Sequence, residues 1–146
     1  MTLTRANTEY LLEARTGPLL TAAGMSTDVD GTNVDLNDPI ARAVRDLGHT
    51  VASAVLVADA DVAAVTDAET DEFLDTATLH TLEAVLGNFD DVDIKVGPMS
   101  ESLSQLAEQV ERKIERLLAQ LERLYGYSMA TVSGAYIQKD IAEHNG

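Results

Sequence analysis

The stretch "DVDG", residues 28–31, is the one place where acidic side chains stand at ligand-like spacing beside a glycine. A calcium loop of the EF-hand type needs oxygen donors at its positions 1, 3 and 5, glycine at 6 and a bidentate glutamate at 12. With Gly31 at the sixth position, Ser26, Asp28 and Asp30 fall on the donor positions and Asn37 on the twelfth. The bidentate acid is missing. Asp28 and Asp30 are the two candidate metal ligands. The competing reading is an acidic turn, with Asp38 capping the helix that follows.

Other chemistry has little to work with. There is no cysteine, which excludes disulfides, thiolate catalysis and zinc–thiolate sites. His49, His80 and His144 lie far apart, and none sits in a metalloprotease-like spacing. Mid-helix, His80 reads as partly buried or exposed rather than ligating. No GxSxG, Walker or GxGxxG pattern occurs. Carboxylates are so frequent that any pairing carries no information. The expectation is a protein that is not an enzyme and takes no cofactor.

Charge is the dominant signal. The chain of 146 residues carries 25 Asp and Glu against 10 Lys and Arg, a net charge of −15. Residues 28–93 hold sixteen of those acids and only two bases, Arg42 and Arg45. Residues 94–126 hold five of each sign. At about 1 M salt the Debye length falls to roughly 3 Å and self-repulsion is screened. The composition therefore predicts a salt-loving source. It also argues against direct phosphate binding by the middle segment, because DNA contacts rest on Lys and Arg. No apolar run approaches the ~20 residues of a bilayer span. The start, MTLTRANTEY, lacks the layout of a secretory signal. A soluble protein without membrane contact is expected.

The elements follow from periodicity and punctuation. Residues 3–15 predict a short helix with Leu3, Ala6, Tyr10 and Ala14 near one face, broken at Gly17-Pro18. Residues 18–24 predict a second short turn and residues 25–38 a polar loop. "DPIARAVRDLG" predicts a helix with Asp38 as N-cap, Pro39 first and Gly48 as stop. An extended segment is expected through residue 57. Thr66 and Glu69 form a capping box for a helix that Gly87 ends, with Leu79, Leu82 and Leu86 inward. Val92, Ile94 and Val96 alternate with polar residues and predict a short strand.

After Gly97-Pro98, Ser102 and Gln105 suit a capping box, and Gly126 ends the longest helix. Ala107, Val110, Ile114, Leu117, Leu121 and Leu124 repeat at spacings of three and four, a stripe over nearly three heptads. Val110, Ile114, Leu117, Leu121 and Leu124 are candidates for core packing or for a seam against a neighbouring subunit. The tail has no sustained period but carries Tyr127, Tyr136, Ile137 and Ile141, candidate anchors of a docking arm. The expected fold is mainly α. It is a small helical bundle with a short β element and one long helix in the C-terminal half, followed by an extended tail. Residues 1–126 form the domain and 127–146 the arm.

The run from "DEFLDTATLHTLEAVLGNFDDVDIKVGP" into "MSESLSQLAEQVERKIERLLAQLERLYG" resembles the C-terminal half of the head–tail adaptor proteins of tailed double-stranded DNA viruses. In that family a helix leads into a short D-hydrophobic-K-hydrophobic-G strand, here Val92, Ile94, Lys95, Val96 and Gly97. A serine-containing cap, here Ser100 or Ser102, precedes a long Leu/Ala-rich helix, here Leu103 to Leu124. The resemblance covers about half the chain by pattern and the rest by helix order. It implies a virion neck protein, assembled in the host cytoplasm. Its copies would form a ring, a dodecamer in that family, between the portal protein and a tail-side stopper or tail-completion protein. The ring would extend the channel through which DNA passes without specific binding. With the salt signature, it implies a haloarchaeal virus.

Two other classes compete. One is an acidic halophilic binding or regulatory module of the DNA-mimic type, with a basic protein partner. The other is a small metal-dependent enzyme built on Asp28 and Asp30.

Overall fold

The structure, a computed structural model, describes residues 2–53, 55–95 and 100–126, with side chains for all of these except 90–103. Five helices occur among them: α1 (Arg5–Ala22), α2 (Asn37–Asp46), α3 (Asp59–Ala63), α4 (Thr70–Lys95) and α5 (Ser100–Tyr125). A 3-10 turn, Val34–Leu36, leads into α2, and another, Asp67–Glu69, into α4. The fold is mainly helical, as the composition and periodicity predict.

α4 is the axis, with α1, α2 and α5 all packed against it. Seven consecutive residues, 76–82, are buried. A turn takes 3.6 residues, so this part of α4 is covered all round. Phe73, Ala77, Leu79 and Val85 are fully enclosed. Burying a side chain of the Leu or Phe class stabilises by roughly 1.5–3 kcal/mol. Three threonines share this enclosed stretch. Thr78 and Thr81 donate their hydroxyls back to the carbonyls of Leu74 and Ala77, at 2.6 and 2.7 Å, which removes most of the cost of placing a hydroxyl there.

Local signals end the helices where glycine permits it. Gly48 has φ +88°. Its N–H donates to Arg45 O and that of His49 donates to Val44 O, the paired bonds of a Schellman stop. Thr66 accepts Glu69 N–H in the capping box that opens the second 3-10 turn, as its spacing predicts.

Four expectations are corrected. The short β element at 92–96 is not a strand over its described part, because α4 continues through Lys95. An isolated strand has no ladder to join, and no other strand exists among the described residues. Gly87 does not end α4; the next turn brings Phe89 into the core at 2% exposure, so packing carries the helix past the glycine. Gly17-Pro18 does not break α1, which includes Pro18. A proline crowds the Cβ of the residue before it, and Gly17 has none, so the helical conformation persists there. Asp38 is not the cap of α2, which begins at Asn37 directly from the 3-10 turn. The turn is itself capped by Asn33, whose Oδ1 accepts from Asp35 and Leu36 N–H.

α5 also begins earlier than expected, at Ser100, which places Ser102 inside the first turn. Residues 96–99 and the arm anchors Tyr127, Tyr136, Ile137 and Ile141 lie outside the described residues.

Candidate functional site

α1 turns an unexpected face inward. Ala14 is exposed and Tyr10 is 60% exposed, while Arg5, Thr8, Glu9, Leu12 and Thr16 are buried. Arg5 and Glu9 explain this. Arg5 Nε donates to Glu9 Oε2 at 2.8 Å, with both side chains enclosed. Its remaining donors reach Asn37 Oδ1 at 2.8 Å, Val57 O at 3.2 Å and Asn33 O at 2.6 Å. Glu9 accepts Gly31 N–H at 2.7 Å and Asn33 N–H at 3.0 Å. A buried ion pair is tolerable only when its other donors and acceptors are satisfied, and here they are. The pair staples two loops, 26–36 and 49–58, to the first turns of α1.

That staple decides the fate of the acidic loop. Gly31 sits against Ala6 with φ +92°, a conformation that favours glycine. Asp30 Oδ1 accepts both the N–H and the hydroxyl of Thr32, which hold its carboxyl below the usual range. Asp28 is exposed and its backbone carbonyl accepts from Asn33 Nδ2. Among the described residues no group of three or more His, Asp or Glu side chains is placed to hold a metal ion. Asp28 and Asp30 are thus turn residues here, and are not gathered with further ligands.

His80 is buried at 6% exposure, and it ties α4 to α2. Its Nε2 lies 2.6 Å from Asp46 Oδ2 and its Nδ1 3.1 Å from Glu83 Oε1. Burial alone would push its pKa down. The hydrogen bonds to Asp46 and Glu83, with their charges, outweigh burial and raise it to about 9. Both ring nitrogens are engaged, so the imidazolium is a clamp between helices, with no free nitrogen for a reaction.

The long helix runs antiparallel to α4, with Tyr125 at its end meeting Asp75 near the start of α4. Tyr125 Oη donates to Asp75 Oδ2 at 3.0 Å, while Arg15 of α1 reaches Asp75 Oδ1 at 3.0 Å. One carboxylate thereby joins three helices. Along the predicted stripe, Val110 and Leu121 are fully buried. Ile114 and Leu117 are half-buried, as is the neighbouring Leu118. Leu124 is 54% exposed, because Tyr125 rather than Leu124 turns toward α4. The stripe is a core seam at two positions and a partly open ridge at the others.

Beside that ridge, α1, α4 and α5 frame an open groove of about 230 Å³. Leu82 and Leu117 form its apolar wall, Thr16 and Thr78 its hydroxyl floor, and Arg15, Lys113 and Arg116 its cations. Sequence reasoning missed this cluster because Arg15 is about a hundred residues from the other two. The signal within reach was local: Lys113 and Arg116 have no acid three or four positions away, unlike Arg112, which has Glu108.

No protein-family model, curated protein or solved structure matches this chain. The molecule is defined by its architecture, a helical bundle around α4. No helix among the described residues is long and apolar enough to cross a membrane.

Proposed function

We propose that this chain is a non-enzymatic assembly subunit that docks through the open ridge of α5. The observation that carries the reading is the shallow burial of that ridge: Leu124 is 54% exposed, and Ile114, Leu117 and Leu118 are only half-covered by a helix packed chiefly on α4. Apolar side chains left half-wet on a long helix suit burial against another protein surface.

The more specific form follows the sequence resemblance. The subunit belongs to the neck of a haloarchaeal tailed virus, as a ring between the portal and the tail-side stopper, around DNA that passes without specific binding. The balanced charge of residues 94–126, five of each sign, supports subunit packing there. Of the acidic middle segment, Asp28, Asp30, Asp38, Asp59, Asp67 and Asp71 are exposed, while Asp61 is buried. Residues 127–146 serve as the docking arm.

The same exposed carboxylates favour a second reading, an acidic module that occupies the basic face of a partner protein. Electron microscopy and native mass measurement of the full chain in molar salt, alone and with purified portal protein, separate the two. Rings or portal-bound assemblies support the neck reading. A persistent monomer that ignores portal and captures a basic protein instead overturns it.

A further inference from the structure

We propose that the groove between α1, α4 and α5 binds a small organic anion: a carboxylate or phosphate group joined to a short apolar body. Such binding does not require ring formation and is a property of the unassembled chain, since Leu117 belongs to both the groove and the ridge.

Charge is the first ground. In a chain with 25 acids and 10 bases, the eight residues lining the groove include three cations and no acid. The second ground is the state of those cations. Arg15 is held in place by Asp75 and by Thr78 Oγ1 at 3.1 Å. Among the described residues, no carboxylate lies within ion-pair distance of Lys113 or Arg116. The two sit one turn apart on α5, where like charges repel. At Arg116 the i−4 neighbour is Arg112, a further cation. The acids of α5 lie elsewhere on the helix, none of them three or four positions from Lys113 or Arg116, and an anion in the groove would supply the missing partner.

The shape gives the rest of the ligand. Thr16 and Thr78 already donate their hydroxyls to Leu12 O and Leu74 O, so the donors left for a ligand are Lys113, Arg116, the Gln120 amide and the guanidinium N–H groups of Arg15 other than Nη1. Lys113, Arg116 and Gln120 share α5, and Arg15 is already paired with Asp75, which places the anionic group on the α5 side. Leu82 and Leu117 then receive the apolar body. The volume lies below the roughly 300–1,000 Å³ of pockets for drug-sized ligands, so the ligand is fragment-sized.

The test is titration of the full-length protein at fixed salt, followed by NMR of the Leu82 and Leu117 methyls. Four probes separate the parts: hexanoate, hexyl phosphate, inorganic phosphate and 1-hexanol. Saturable shifts with hexanoate or hexyl phosphate are expected, with phosphate alone and hexanol weaker by about tenfold or more, since charged hydrogen bonds and apolar contact each contribute. Lys113 and Arg116 are exposed, so Lys113→Gln/Arg116→Gln should keep its thermal stability and weaken binding by about tenfold or more. The proposal is overturned if neither amphiphile gives saturable shifts, if hexanol binds as tightly as hexanoate, or if the folded double variant binds unchanged.

Discussion

Nε2 of His80 and Oδ2 of Asp46 lie 2.6 Å apart across the junction of α4 and α2. With Glu83 on the other nitrogen, the imidazolium keeps its proton to about pH 9, against an ordinary value of 6.5. The folded state therefore binds more protons than the unfolded one between these two values. The stabilisation is complete below about pH 6.5 and is lost as pH rises through about 9. Allowing for the partial exposure of both carboxylates, it is on the order of 2–3 kcal/mol. Melting temperature should fall over that window in the native chain. His80→Gln should flatten the fall and lower stability at neutral pH. An unchanged pH profile in the variant would refute the clamp.

Arg5 and Glu9 predict a different pattern. Arg5→Met leaves Glu9 charged and enclosed, and should cost about 3–5 kcal/mol in chemical denaturation. Arg5→Met/Glu9→Gln removes the stranded charge and keeps one acceptor oxygen, enough for Gly31 or Asn33 though not for both, so it should be more stable than the single variant. In both, limited proteolysis should cut within 26–36 and 49–58 sooner than in the native chain, since one guanidinium holds the two loops. Equal stability of the single and double variants would remove the coupling.

Leu121 and Leu124 sit three residues apart and should behave oppositely. Leu121 is fully buried, and Leu121→Ala should cost about 2–5 kcal/mol. Leu124→Ala should stay within about 0.5 kcal/mol in the isolated chain, yet reduce the assembled fraction seen by native mass measurement. If Leu124→Ala assembles normally, the open ridge is not the docking surface.

Tyr125 supplies a spectroscopic check. Burial, then the hydrogen bond and charge of Asp75, push its phenol up to about 12 from an ordinary 10. Absorbance titration should show a tyrosine step near pH 12. Because the folded pKa is raised, its contribution is intact below about pH 10 and is lost as pH climbs through about 12. Tyr125→Phe should remove that step and cost about 0.5–1.5 kcal/mol at neutral pH.

These residues also mark where sequence reasoning succeeds and where it stops. The Gly48 stop, the Thr66–Glu69 box and the helix that Gly126 closes were legible because each signal lies within a few positions of the element that it shapes. The inward face of α1 was not. Of the expected row Leu3, Ala6, Tyr10 and Ala14, Leu3 is buried, but within the helix Arg5 and Glu9 take the interior because their partners, Gly31, Asn33, Asn37 and Val57, arrive from distant loops. His80 is the same case, with Asp46 as its remote partner. The alternation at 92–96 misled for a related reason: a strand needs a neighbour, which a local pattern does not supply. Of the candidate site, the α5 stripe was visible in advance, and the groove with Arg15 was not.

Helix α5 leans chiefly on one neighbour, whereas α4 is wrapped on every side over residues 76–82. Its backbone amides therefore have a cheaper route to solvent than those of the axis, by peeling away as a unit while the remainder stays closed. Hydrogen exchange should rank α5 below α4 in protection. A partner that clasps it would convert the loosest long helix of the molecule into one of its most protected.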